Sequence, residues 1–110
     1  MELKLLLTYN IRQNRETEYY RFVLGEFLPA LQNVGLIMVD GWHTAYGDYP
    51  VRLIVFQTQD EAEMHAALKS KEWLKGKETL LKMVTDYEER LVPARNVFQF
   101  FIPNKPDKDS

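Results

Sequence analysis

The sequence predicts an α+β fold, with helices laid against a four-stranded antiparallel sheet in the order β-α-β-β-α-α-β. Three observations carry that reading. Residues 2–9 alternate, with Leu3, Leu5 and Leu7 on one side and Lys4 and Thr8 on the other, which is the period of a strand. Residues 36–46 and 51–58 are rich in β-branched and aromatic side chains and flank Tyr46-Gly47-Asp48-Tyr49. Around these runs, apolar residues recur at helical spacing.

The elements follow in order. After the first strand, Asn14 suits a helix N-cap, with Glu16 and Glu18 in the first turn where the helix dipole favours acids. Tyr20, Val23, Leu24, Phe27, Leu28 and Leu31 then form an apolar stripe. Pro29 lies inside it, and its ring presses on the carbonyl of Gly25, which predicts a kink or a helix end. Gly35 suits the C-terminal cap. Gly47 at the first central position fits a two-residue type II′ hairpin turn. That turn sets 46 against 49, 44 against 51 and 43 against 52. Pro50 then falls where no ladder N–H is needed. Asp60-Glu61-Ala62-Glu63 opens the next helix as a capping box, with Met64, Ala67 and Leu68 on its buried side. Ser70 caps a last helix carrying Trp73, Leu74, Leu80, Leu81, Val84, Tyr87 and Leu91, with Glu78–Lys82 and Asp86–Arg90 as outer pairs and Pro93 as its end. A final strand is expected over 96–102, with Phe98, Phe100 and Ile102 on one face. The order is the ferredoxin-like split βαβ pattern, and right-handed crossovers place strands one and three at the centre.

At 110 residues the chain is read as one domain, 1–103, followed by a polar tail, 104–110. Fourteen basic against sixteen acidic side chains leave a net charge of −2, without the basic stripe that nucleic acid requires. No cysteine is present, which excludes disulfides, thiolate nucleophiles and Cys-ligated metal centres. The apolar runs are too short for a bilayer and lack a cleavage site, so a cytoplasmic protein without a membrane segment is expected.

The hairpin is apolar on both faces. Ile37, Val39, Gly41, Ile54 and Phe56 are assigned to one face, and Leu36, Met38, Trp42, Leu53 and Val55 to the other. Helices on one side cover only one of them. A second copy, sheet against sheet about a two-fold axis, covers the other, so a homodimer is expected with Trp42, Tyr46, Leu53 and Val55 at its interface.

Trp42, Tyr46-Gly47, Leu53-Ile54-Val55-Phe56 and the stretch from Met64 to Glu72-Trp73 together resemble the NIPSNAP-like branch of the dimeric α/β-barrel superfamily. That branch has an aromatic on its second strand, a hairpin glycine, an apolar third strand and a helix leading to a Glu-Trp element. Here that element reads Ser70-Lys71-Glu72-Trp73, with Ser-Lys in place of the usual Asp-Pro. The resemblance implies a ferredoxin-like monomer and a barrel made of two sheets. It implies no single activity, since the superfamily holds antibiotic-biosynthesis monooxygenases, haem-degrading enzymes, peroxidases and proteins without assigned chemistry.

Two cross-strand neighbours stand out as candidate chemistry. His43 and Arg52 face each other on one side of the hairpin, and the guanidinium favours a neutral imidazole. In related monooxygenases a polar cluster between sheet and helices handles a phenolic substrate. The matching reading here is a pocket for a small organic ligand, with His43 as base and Arg52 as anion clamp. Against it stands an edge pair reaching solvent. Asn10 and Trp73 are further ligand-binding candidates, because a haem-degrading relative uses a helix histidine, here His65, beside an Asn and a Trp. Trp73 reads equally as a core anchor and His65 as a solvated helix residue. No cofactor and no metal site is expected: the two histidines are far apart, no glycine-rich phosphate loop exists, and no serine elbow appears. Three functions remain open from sequence: a ligand-binding barrel protein, a cofactor-independent monooxygenase of an aromatic substrate, and a non-catalytic structural or partner-binding dimer.

Overall fold

The structure, a computed structural model, describes residues 2–43 and 52–94. In chain order they form β1 (Leu3–Ile11), α1 (Glu16–Phe22), a π-helical turn (Val23–Phe27), α2 (Leu28–Asn33), β2 (Ile37–His43), β3 (Arg52–Gln57), α3 (Glu61–Leu68), α4 (Lys71–Leu81) and β4 (Val84–Pro93). One antiparallel sheet runs β2-β3-β1-β4, so β1 and β3 are central as the crossover rule required. The class is α+β and ferredoxin-like. The expected hairpin turn with Tyr46, Gly47 and Pro50, the strand over 96–102 and the tail lie outside the described residues.

The helix ends follow local chemistry. Asp60 Oδ1 accepts from the N–H of Glu63 at 2.8 Å, and Glu63 Oε1 accepts from the N–H of Gln59 at 2.8 Å. Ser70 Oγ accepts from the N–H of Trp73 at 3.2 Å and starts α4. Gly35, at φ +94°, closes α2, with the N–H of Leu36 reaching back to the carbonyl of Leu31 at 2.9 Å. Asn14 is not the cap of α1. It sits in a left-handed turn at φ 68°, and Arg15 occupies the cap position without a side-chain capping bond. The strain expected at Pro29 takes the form of the π turn. Pro29 stands in the first turn of α2 and offers no N–H to Gly25, while the N–H of Leu28 reaches five residues back to Val23.

The last helix ends ten residues earlier than its apolar pattern implied. Residues 84–93 form β4, paired along β1 from Ile11↔Val84 to Leu3↔Pro93. A β-bulge explains the misreading. The register slips between Thr8↔Glu88 and Asn10↔Thr85, so one extra residue enters β4, and Asp86 there adopts φ 56°. That insertion stretches the inward spacing from two to three, and Val84, Tyr87 and Leu91 then imitate one face of a helix. Asp86 and Arg90 are therefore strand residues, and Arg90 instead approaches Glu88 at 3.6 Å.

A second bulge corrects the assignment of the hairpin faces. The β2–β3 register slips between Met38↔Phe56 and Asp40↔Val55. Leu36 and Met38 therefore share the helix side with Ile54 and Phe56, while Ile37, paired with Gln57, lies on the other. Beyond the bulge the expected register holds, including His43↔Arg52. Both faces remain apolar.

The main core fills the space between sheet and helices. Leu5, Leu7 and Tyr9 of β1 meet Ile54 and Phe56 of β3 and, from the helices, Phe27, Leu31, Met64, Trp73 and Leu80. Phe27 is its pivot: its ring stands edge-on to Phe56 at 6.5 Å and beside Trp73 at 6.3 Å. A Cβ on Gly76 of α4 would lie 2.6 Å from that ring, so the glycine lets α4 close on Phe27. On the far side of the sheet Leu6, Leu53 and Val55 form a smaller buried cluster, with Val92 against it.

Candidate ligand pocket

The pocket begins at one position of β1. Leu5 and Leu7 point to the helices, and so does the next residue in that row, Tyr9, which brings a hydroxyl into an aliphatic layer. A buried hydroxyl needs a partner. It finds one on α1, where Tyr19 lies 2.5 Å away, oxygen to oxygen. The two rings meet edge to face at 5.9 Å, and Tyr87 stacks on the other side of Tyr9 at 6.2 Å and 15°. The bulge at Asp86 is what turns Tyr87 to this face. Its hydroxyl donates to Glu89 Oε1 at 2.9 Å, and Lys77 of α4 reaches the same oxygen at 2.7 Å.

Arg52, the first residue of β3, stands beside this group. Its guanidinium carbon lies 5.0 Å from the centre of the Tyr20 ring, a cation–π distance. Its Nε is buried and has no hydrogen-bond partner among the described residues. In front of it opens a cavity of about 200 Å³. α1 and the π turn supply Tyr19, Tyr20, Val23 and Leu24, β2 supplies Met38, Gly41 and Trp42, and β3 supplies Arg52 and Ile54. Two larger hollows, about 430 Å³ between the π turn and α4 and about 520 Å³ beside Gly35, contain no buried unpaired polar side chain among the described residues. The smaller cavity is therefore distinguished by its chemistry.

The phenols are held protonated. Burial pushes Tyr9 far up from its ordinary value, and the neighbouring Tyr19 adds to this, while the charge of Arg52 opposes it. Burial also raises Tyr19, offset by the bond from Tyr9 and by Arg52. Tyr87 is raised by burial and by the negative charge of Glu89.

The structure brings some of the sequence candidates together and separates others. Arg52 is at the cavity. His43 ends β2 as its Cα partner, and its side chain lies outside the described residues. Trp73 is 2% exposed in the core, with Phe27 beside it and Lys77 5.9 Å from its ring centre. Asn10 belongs to the opposite side of β1 from Tyr9 and donates to Asp86 Oδ2 at 2.9 Å. His65 is exposed on α3, 3.6 Å from Glu61. Of the residues assigned to an interface, Trp42 is 51% exposed, Leu53 and Val55 are buried at 9% and 2%, and Tyr46 is outside the described residues. Among the described residues no group of three His, Asp or Glu could hold a metal ion, and no helix is long and apolar enough to cross a membrane.

Tyr9, Tyr19 and Tyr87 escaped the sequence reading as site residues. The signal for Tyr9 was available, because a tyrosine takes the third place in a row that Leu5 and Leu7 begin. Tyr87 was hidden by the bulge, and Tyr19 by its neighbour Tyr20, which fits the helical stripe equally well.

No family model matches the chain, and no curated protein matches it. Solved structures do. A NIPSNAP domain protein from Burkholderia xenovorans is similar with a TM-score of 0.61 and 15% identity, covering 96% of this chain and 99% of that one. A NIPSNAP family protein from Agrobacterium tumefaciens gives 0.63 and 15%, over 84% and 92%. SnoaB, a cofactor-independent oxygenase from Streptomyces nogalater, gives 0.63 and 17%, over 86% and 93%. At such identities the likeness is one of fold, and at that level the resemblance to NIPSNAP-like and monooxygenase-like proteins holds.

Proposed function

We propose that this chain binds a small organic molecule in the cavity between α1 and the β2–β3 hairpin. The observation that carries the reading is the cavity itself, with Arg52 on its wall and the Nε of that side chain buried and unpaired among the described residues. A dry cavity of about 150 Å³ accepts benzene, so one of about 200 Å³ takes a single substituted ring. The apolar walls supply contact area and Arg52 supplies orientation. Gly41 allows a direct test. A Cβ there meets nothing closer than the Leu53 carbonyl at 3.9 Å, so Gly41→Leu fills the cavity without crowding the backbone. Methyl NMR titration with single-ring aromatics is expected to show saturable shifts at Val23, Met38 and Ile54 that Gly41→Leu abolishes. Shifts that survive this variant, or none in the parent, defeat the reading.

A catalytic version is favoured by one observation, the fold likeness to a cofactor-independent oxygenase. In it, His43 acts as the base beside Arg52, and a phenolic substrate is activated by losing its proton. Oxygen uptake with a quinol substrate, abolished in His43→Ala, is the expected signature.

The chain is also proposed to pair with a second copy through the far face of the sheet. Trp42, Ile37 and Val39 are exposed there or at its edge, and so supply the new contact, while Leu53 and Val55 lie behind them. Light scattering is expected to give twice the chain mass of 13.0 kDa at micromolar concentration.

A further inference from the structure

We infer that the ligand of this pocket is a single-ring aromatic carboxylate, held by Arg52 and Tyr19 together, with Tyr9 as the positioning residue that frees the Tyr19 proton for it. The inference rests on the pocket reading above and adds the ligand's chemical class.

Tyr9 and Tyr19 each carry one hydroxyl proton, and one of the two lies between their oxygens. Both rings are buried, Tyr9 at 0% and Tyr19 at 2% exposure, but Tyr9 does not line the cavity, so with Tyr19 as donor the proton of Tyr9 would be left with no acceptor among the described residues. With Tyr9 donating, the leftover proton belongs to Tyr19, and Tyr19 lines the cavity. The bond that Tyr19 accepts polarises its own O–H and strengthens it as a donor. Tyr87, stacked on one side, and Tyr19, edge-on at the other, hold the Tyr9 ring in place.

Arg52 lines the cavity with a guanidinium that brings further N–H donors and a full positive charge, and its Nε–H has no partner among the described residues. Among the described residues no Asp or Glu lines the cavity. The carboxylate of Asp40, one residue from the wall, is taken by the N–H of Gly41 at 2.9 Å and by Trp42 Nε1 at 3.2 Å. The polar end therefore offers donors, one of them charged. A carboxylate has two acceptor oxygens and one negative charge, and satisfies both. A primary amide of the same shape brings an N–H₂ that finds no acceptor among these groups, and so leaves a donor unmatched.

The test titrates the full chain with benzoate and benzamide, followed by methyl NMR and calorimetry. Benzoate is expected to bind at least about tenfold more tightly than benzamide, the scale of one charge-assisted hydrogen bond. Tyr19→Phe is expected to weaken benzoate about tenfold and leave benzamide unchanged, and Arg52→Gln to weaken benzoate further. Tyr9→Phe is expected to lower the benzoate-to-benzamide ratio without moving benzamide affinity, a selectivity change that a merely structural role would not produce. Equal binding of the two ligands in the cavity overturns the carboxylate assignment and leaves the pocket reading standing. Absence of binding by either overturns both. Discrimination that survives Tyr19→Phe overturns the role of the Tyr9–Tyr19 pair.

Discussion

β1 lays Leu5, Leu7 and Tyr9 in one row under the helices, and the two ends of that row are built differently. At the Leu5 end the strand partner is Phe56, and both belong to a core that also holds Leu31, Leu36 and Met64. At the Tyr9 end each buried ring carries a hydroxyl that must be paired, and a charged Arg52 and a cavity lie next to it. The first end can be filled by any well-packed hydrocarbon, so its contribution is stability. The second end is polar in a defined direction, which hydrocarbon packing cannot supply. The comparison separates what holds this fold from what the fold holds.

The largest effect should come from breaking the aliphatic end. Phe56 is fully buried against Phe27, and Phe56→Ala is expected to cost about 3–5 kcal/mol in urea unfolding. Benzoate affinity, measured on the folded fraction, should change little. A cost below about 1 kcal/mol would mean that this end is not the stabilising one.

Alkaline titration should strike the other end. Tyr9, Tyr19 and Tyr87 all have raised values in the folded state. Below about pH 10 a tyrosine is protonated whether folded or unfolded, and pH has no leverage through it. Above that the unfolded chain releases protons that the folded one retains, so stability falls as pH rises. For each tyrosine that stays protonated in the folded chain the slope approaches about 1.4 kcal/mol per pH unit well above that value, and averages about half of it between pH 9 and 11. Urea unfolding between pH 9 and 11 measures it, and phenolate absorbance should report Tyr9 and Tyr87 only as the chain unfolds. Tyr9→Phe should make the slope shallower, while a slope unchanged in that variant would break the link between burial and titration.

How far the fold could be read from sequence depended on whether the period of a strand was intact. Leu3 to Thr8 keep period two, and β1 was legible; Asp60 and Ser70 carry their caps in their side chains, and the starts of α3 and α4 were legible too. Where a bulge adds a residue the period fails. At Asp86 it turned a strand into an apparent helix, and near Val39 it exchanged the faces of Ile37 and Met38. Strand order survived both errors, because it depends on connection handedness and not on local period. The site was legible only in Arg52, whose register with His43 follows from the hairpin. Its tyrosine partners depend on which face each ring takes, and for Tyr87 that is decided by the bulge.

That dependence yields the finest test of the comparison. Asp86 holds φ 56°, a conformation that glycine adopts freely and a β-branched residue resists. Its carboxylate accepts from Asn10 at 2.9 Å and lies 3.4 Å from Thr85 Oγ1, both at the surface. Asp86→Gly removes those bonds but relieves the backbone, and the two effects should nearly cancel, within about 0.5 kcal/mol. Asp86→Val keeps the strand propensity and forbids the bulge, at a cost of about 1–2 kcal/mol. If the bulge serves only to let β4 pair with β1, both variants should bind benzoate as the parent does. If it serves to place Tyr87 against Tyr9, Asp86→Val should lose the benzoate-to-benzamide selectivity while Asp86→Gly keeps it. The second outcome is expected, because without the extra residue the inward position after Val84 passes from Tyr87 to Asp86, and Tyr9 loses the ring that holds its hydroxyl toward Tyr19.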